Sequence, residues 1–370
     1  MAKSNQGPVR YAVVGLGNIA QVAVLPAFAH AKENSKLVAL ISSDAEKLKA
    51  LSERYSVGIT GSYEELDKIS ASGDVDAIYV ATPNTKHRVA LESAARAGVH
   101  VLCEKPLAAT VEDCRSMLST AAAAKIKLMT AYRLHFEQAN LRAIERIRNG
   151  EIGEPRLFSS VFCHQVRAGD IRTRAEFGGG ALFDMGIYCV NAARYLFQDE
   201  PLEVSAFRVH GSDERFKETD EMTSAILRFP GDRIAQFTAS QGAADVSEFR
   251  IIGTNGDLRL EGAFDYHGKS EEFLTVDEKT KRTTTAQHDQ FAAELIHFSK
   301  CILEDRAPEP SGEEGLADVQ ILEAIMEAAS SGRRVALTPA DRERRPNQSL
   351  EINKPATRKV ETVNAPSPSK

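Results

Sequence analysis

No uninterrupted apolar run in this chain approaches the roughly 18 residues that a membrane span requires. The start, MAKSNQGPVRYAVVGLG, lacks a basic segment and an apolar segment ahead of a cleavage site. Cysteine is scarce: Cys103, Cys114, Cys163, Cys189 and Cys301 are an odd number, widely scattered, with no C-x-x-C pair. That argues against both a disulfide framework and a zinc site. A basic excess is missing as well, since the net charge is -6, and nothing is built for nucleic-acid phosphates. With no H-E-x-x-H, no Cys/His cluster and no paired-carboxylate motif, no metal is expected. The simplest setting is a reducing cytoplasm and the natural partner a small molecule, with no nucleic acid and no membrane.

A chain of 370 residues exceeds the usual single domain, so two are expected. In the first part, short apolar runs (YAVVGLG, KLVALISS, VDAIYVATP, VHVLCEKP, KIKLMTAYRLHF) alternate with helix-like segments. That alternation predicts a doubly wound parallel sheet over residues 8–130. After about residue 150 the pattern changes. EMTSAILRFPGDRIAQFTASQGA turns at Pro-Gly-Asp and SEFRIIGTNGDLRLEGA turns at Asn255-Gly256, so antiparallel hairpins are expected. Residues 131–338 therefore read as an α+β substrate and oligomerisation domain with a large, mainly antiparallel open sheet. Helices near 180–198, 288–304 and 314–331 are expected to cover one face of it. The other face is the candidate interface of a homodimer or homotetramer. Residues 339–370 are polar and expected to be disordered.

The first chemical signal is the loop Gly15, Leu16, Gly17, Asn18, Ile19 and Ala20, a G-x-G-x-x-A run between strand and helix. Gly15 allows a tight turn, Gly17 lets a pyrophosphate approach the backbone, and Ala20 lets the helix pack closely on the strand. The helix N-terminus adds amides for the anion. At the end of the second strand, an NAD site usually has a carboxylate for the ribose 2'-hydroxyl. Here Ser42 and Ser43 stand there, with Lys47 one turn on. Two hydroxyls and an ammonium suit a 2'-phosphate, so NADP is favoured over NAD. Asp44 reads as the cap of the following helix, which is compatible with a phosphate site before it.

GLGNIA, ATPNTKH (81–87), CEKP (103–106) and GGGALFDMGIY (178–188) occur in an order and spacing that resemble the Gfo/Idh/MocA oxidoreductases. The likeness runs from about residue 8 to about 338 and is nearest to the glucose-fructose oxidoreductase group, to which SDERF (212–216) and PSGEEGLADVQ (310–320) are also similar. The resemblance implies that Lys105 reaches both the nicotinamide ribose and the substrate hydroxyl, that Glu104 lies beside the cofactor, and that Lys105-Pro106 is a cis peptide. It also implies that Thr82, Pro83, Asn84 and His87 line the cofactor with Tyr63 and Arg133. For His87 alone, a structural role at a helix start is equally open. Independently, Lys105 lies at the carboxyl end of a strand, where open parallel sheets bind ligands.

Asp184 and Tyr188 are four residues apart, so a helix presents them on one face. Many family members have histidine where this chain has Tyr188; tyrosine starts near pKa 10 and needs a nearby ammonium, here Lys105, to become an efficient base. An ordinary core tyrosine with a bonded hydroxyl is the alternative. The reaction implied is oxidation of a sugar or polyol carbinol: Tyr188 takes the hydroxyl proton with help from Lys105, Asp184 orients, and hydride passes to the nicotinamide. In reverse, the same site reduces a ketose or lactone. Arg174 is a candidate for sugar hydroxyls or for a surface ion pair, and His135 and His164 rank with ordinary polar residues. A nucleotide-binding sensor without turnover is the alternative class.

Overall fold

The computed structural model describes residues 7–340 and 345–369, which form two compact units. The first contains residues 7–133, 289–316 and 353–367, and the second the remainder. In the first, β1 (Val9–Val14), β2 (Ser35–Ile41), β3 (Ile59–Gly61), β4 (Ala77–Val80), β5 (His100–Glu104) and β6 (Leu128–Ala131) pair in parallel in the order β3-β2-β1-β4-β5-β6. Between them run α1 (Leu25–Ala27), α2 (Ala45–Tyr55), α3 (Leu66–Ser70), α4 (His87–Arg96) and α5 (Val111–Ala124). Tyr11–Val14 and Ala77–Val80 are buried along their whole length, as strands covered on both faces must be. The strand order reverses between β1 and β4. In open parallel sheets, ligands bind outside the carboxyl ends of the strands at such a reversal.

In the second unit, β7 (Pro155–Cys163), β8 (Glu203–Val209), β9 (Met222–Phe229), β10 (Arg233–Ser240), β11 (Val246–Gly253), β12 (Gly256–Glu261), β13 (Lys269–Val276), β14 (Lys279–Ala286) and β15 (Val335–Ala336) form one sheet. Its order is β14-β13-β12-β11-β7-β10-β9-β8-β15. Every neighbouring pair is antiparallel except β7 and β10. Ala225, Leu227 and Phe229 point inward and are buried, while Ile226 between them is 50% exposed, the period of a half-covered strand. On the same outward side, Phe207 is 79% exposed. Helices α6 (Gln138–Arg148) and α7 (Ile187–Phe197) belong to this unit; α8 (Gln290–Leu303) and α9 (Gly312–Ser331) follow the sheet in sequence.

Two expectations are corrected. Helix α8 packs in the first unit, not on the second sheet: Ser299 Oγ lies 2.8 Å from both Tyr11 Oη and Ser35 Oγ, and Asn34 Nδ2 donates to the Ile296 carbonyl at 2.9 Å. Its run FAAELIHF is buried nearly all round, so its pattern reports burial without saying against what. The stretch 339–370 is not a disordered tail where it is described, residues 341–344 and 370 lying outside the described part. Residues 353–367 are held by polar contacts to the first unit, and Ser369 pairs with Val166 in the second. Polar composition shows that a segment lacks a core of its own, not that no surface will hold it.

Candidate active site

In the first unit, β1 ends at Val14 and the chain turns at Gly15, whose φ is +94°. A Cβ there would lie 2.6 Å from the Ala81 carbonyl oxygen, so only glycine fits against the neighbouring strand end. A Cβ on Gly17 would meet nothing within 4 Å, so the chain is open on that side. Ala20 is fully buried, and Gln21 Nε2 donates to the Leu16 carbonyl at 2.9 Å, bracing the loop. A wide π-turn over Ala20–Val24 follows. At the end of β2, Ser42 is buried and its Oγ accepts from the Asp44 N–H at 3.1 Å, while Ser43 is exposed. Asp44 caps α2, accepting from the Glu46 and Lys47 amides at 3.0 Å each, and lies 3.9 Å from Lys47 Nζ. The Lys47 amide, foremost among its partners, holds the Asp44 carboxyl below its ordinary range. Thr82 Oγ1 is buried with no protein partner, and Tyr63 is exposed. The open approach at Gly17 and the orphaned Thr82 hydroxyl fit a dinucleotide whose phosphates meet the loop and whose ribose meets β4's end.

His87 is fully buried beneath these loops. Its Nε2 lies 3.0 Å from the Thr82 carbonyl, and its Nδ1 3.0 Å from that of Pro106 and 3.2 Å from that of Leu107. It therefore ties the Thr-Pro-Asn loop to the Glu-Lys-Pro loop and acts as a positioning residue. Burial pushes the imidazole below its ordinary pKa, against the pull of the three carbonyls.

The Lys105-Pro106 peptide is cis. Behind it, Tyr79 donates to Glu104 Oε1 at 2.9 Å, and Glu104 Oε2 accepts from the Lys105 N–H at 3.2 Å. Tyr79 also lies 3.5 Å from Glu294 Oε2, and Glu294 is wholly buried with Oε1 unpartnered. Burial raises the pKa of both carboxyls; for Glu104, Lys105 and Tyr79 work against it, whereas for Glu294 the charge on Glu104 adds to it. Arg133 is buried and its guanidinium donates to Gln290. Glu294 was not among the sequence candidates, although a lone acid in an apolar helix was a visible signal.

In the second unit, the chain enters α7 through a π-turn over Leu182–Gly186. Along residues 181–190 only Asp184 and Tyr188 keep partial exposure, so the four-residue spacing does put both on one open face. Phe162 packs edge-on against the Tyr188 ring at 5.6 Å, and Phe264 lies at 6.0 Å. Asp184 is 3.1 Å from Arg172 Nε, 3.3 Å from Gln241 Nε2 and 4.0 Å from His164 Nε2. Burial opposes the Arg172 charge, but Asp184 and Asp170 outweigh it and raise its pKa. Arg174 turns to Glu176 and Glu218 instead. Gly179 explains the placement of Arg172: a Cβ there would lie 2.4 Å from the Arg172 carbonyl oxygen, and the Gly180 N–H donates to that carbonyl at 2.8 Å.

His164 and Gln241 follow β7 and β10, whose parallel pairing brings Cys163 level with Ser240. That register was invisible in the sequence and hid Gln241, while Arg172 was missed because it reaches Asp184 through the loop packing at Gly179 and Gly180. Asp318, from the PSGEEGLADVQ run, is buried and accepts from Asn191 at 2.9 Å and from Arg194, pinning the helix that carries Tyr188. His135 is bonded to Asn191 at 2.8 Å. The five cysteines are buried and free, and among the described residues no group of His, Cys, Asp and Glu is placed to hold a metal and no helix is long and apolar enough to cross a membrane.

Comparisons with known proteins agree with these features. Residues 9–132 match the oxidoreductase family with an NAD-binding Rossmann fold, and residues 140–259 match the GFO/IDH/MocA C-terminal domain. A D-xylose 1-dehydrogenase [NADP(+)] from Haloarcula marismortui is 34% identical over 348 residues, covering 90% of this chain and 94% of that protein. The crystal structure of an aldose-aldose oxidoreductase from Caulobacter crescentus, complexed with glycerol, is similar at a TM-score of 0.85 and 37% identity, covering 89% of this chain and all (100%) of that one. A 3-ketoreductase from Actinomadura kijaniata, solved with NADP and TDP-benzene, has a TM-score of 0.80 at 27% identity, covering 87% of this chain and 98% of that one. On the match of both domains and of nearly the whole chain to these relatives, the protein belongs to the Gfo/Idh/MocA family of oxidoreductases.

Proposed function

We propose that the protein is an NADP-dependent sugar oxidoreductase that oxidises an aldose carbinol to the lactone, or runs in reverse on a ketose or lactone, in the manner of glucose-fructose oxidoreductase. NADP, when bound, supplies the hydride acceptor or donor. Gly15 to Ala20 hold the pyrophosphate, Ser42, Ser43 and Lys47 the adenosine 2'-phosphate, and Thr82, Pro83, Asn84, Glu104 and Arg133 the nicotinamide half, with Tyr63 alongside. Lys105 bonds the substrate hydroxyl. Tyr188 takes the hydroxyl proton, and Asp184, fixed by Arg172 and Gln241, orients the sugar together with polar neighbours that include His164. Arg174 contributes to sugar binding only by leaving its two glutamates.

The carrying observation is the exposure pattern around Asp184 and Tyr188: in an otherwise buried segment, these two polar groups alone stay reachable. The relatives support the substrate class, being a xylose dehydrogenase, an aldose-aldose oxidoreductase and a ketoreductase by name. Structures of that ketoreductase with a tyrosine or a lysine replaced also resemble this chain. A sensor without turnover would have no need of a reachable acid and phenol side by side. Five buried free thiols are in keeping with a reducing cytoplasm. The outward apolar side chains Phe207 and Ile226 support a homodimer or homotetramer through the open sheet face, which sedimentation of wild type against Phe207→Glu tests.

The function is tested by following reduced-nicotinamide absorbance with NADP and a panel of aldoses and polyols. Turnover with at least one sugar, abolished in Tyr188→Phe, supports the assignment; tight NADP binding with neither turnover on any single sugar nor hydride transfer between a pair of sugars overturns it in favour of the sensor.

A further inference from the structure

Residues 353–367 pack in the first unit, and their contacts converge on the dinucleotide loop. Val363 and Gln21 exchange two hydrogen bonds, the Val363 N–H donating to Gln21 Oε1 at 2.7 Å and Gln21 Nε2 to the Val363 carbonyl at 2.9 Å. Asn18 Nδ2 donates to the Ala365 carbonyl at 3.0 Å. The Asn364 amide reaches Asp44 Oδ2 at 3.2 Å and Glu46 Oε2 at 2.9 Å. Upstream, Arg54 donates to the Glu361 carbonyl at 2.7 Å and the Asp289 N–H to that of Lys354 at 2.9 Å. Gln21 and Ala365 are buried, so this is a packed contact and not a surface brush.

The two anchoring regions are the two halves of one binding surface. Asn18 lies in the glycine loop assigned above to the pyrophosphate and Gln21 in the π-turn just after it, while Asp44 and Glu46 belong to the helix start just after Ser42 and Ser43. A segment bonded to both crosses the adenosine end of the site. Its bonds there end on the side chains of Asn18, Gln21, Asp44 and Glu46. Among the described residues, none takes the main-chain amides of residues 16–19, which remain available to a phosphate.

We propose that residues 361–365 are a clasp belonging to the dinucleotide site, which slows the departure of NADP. This rests on the NADP reading above. A bound dinucleotide can leave only after the clasp has released its bonds to Asn18, Gln21, Asp44 and Glu46, so the cofactor's residence is set by this segment as well as by the glycine loop. Slow release would let one sugar give up hydride and proton and a second take them up before the nucleotide exchanges.

The test is stopped-flow dissociation of NADPH, read by its fluorescence, from the full chain, from a chain ending at Pro355, and from Asn364→Gly. Asn364 has φ +47°, which glycine adopts freely, so that variant deletes two hydrogen bonds and leaves the backbone undisturbed. Dissociation is expected to quicken by roughly tenfold or more on truncation and by about threefold in Asn364→Gly, the scale of a few net hydrogen bonds. Should the truncated chain not fold, Asn364→Gly decides alone. Equal rates, or slower release without the clasp, overturn the proposal while leaving the NADP reading intact. Failure of the full chain to bind NADPH overturns the NADP reading and the clasp with it.

Discussion

The two units bring polar groups together by different routes. In the first, each parallel strand delivers its following loop to the same sheet edge, so the groups of one loop are neighbours in sequence: Gly15 to Ala20, Ser42 to Lys47, Thr82 to His87, Glu104 to Pro106. In the second, Asp184 meets Arg172, His164 and Gln241, drawn from three separate segments. A site assembled from contiguous loops leaves short motifs in the sequence. One assembled by strand register leaves single residues with no pattern around them. The units share one device: each has a π-turn where it enters its site, over Ala20–Val24 and over Leu182–Gly186, and such turns widen a helix locally so that side chains can be re-aimed.

The contrast predicts a division of labour, tested most severely at Tyr188. Tyr188→Phe is expected to lower kcat/KM for the sugar by on the order of 10³-fold, the scale of a positioned general base, with NADPH binding unchanged. A loss of nucleotide affinity instead would break the division. Conversely, Gly17→Val fills the open space above the loop and is expected to weaken NADPH binding by on the order of 100-fold, measured by fluorescence titration, with the melting temperature of the free protein little altered. Gly15→Val, by contrast, collides with the Ala81 carbonyl and should destabilise the fold itself.

Smaller effects come from groups beneath the loops. His87→Ala breaks the tie between the two cofactor loops and should cost about 2 kcal/mol in urea unfolding. Because folding lowers the His87 pKa, the wild type keeps this stability above the unfolded value near 6.5 and loses it as pH falls through the folded value; the variant should lack that slope. Glu294→Gln is the mildest change and has the opposite sign. A carboxyl whose pKa is raised by folding binds more protons folded than unfolded, so stability declines as pH climbs from about 4.3 through the raised value. The glutamine variant should be more stable than wild type by about 1 kcal/mol at pH 8 and show no gain at pH 4.

Much of the first unit was legible because parallel strands buried on both faces read as continuous apolar runs, and the glycine loop needs its residue types at fixed offsets. The two-residue alternation of β9 and β10 likewise announced a half-covered sheet. Helix α8 and the segment after residue 352 were not legible. An apolar helix shows that it is buried but not which of two sheets buries it, and a polar stretch becomes ordered only when another surface supplies its hydrogen bonds.

By itself, then, the amino-acid order determined the sheet classes, the dinucleotide loop, the Glu104-Lys105-Pro106 turn and the shared face of Asp184 and Tyr188, since each depends on local periodicity or on stereochemistry within a few residues. Tertiary structure alone decided that Arg172 and Gln241 stand on Asp184, that Glu294 faces Glu104 across Tyr79, and that residues 363–365 lie on the nucleotide loop. Those contacts join residues dozens to hundreds of positions apart, and no local rule of backbone or side chain carries information over that separation.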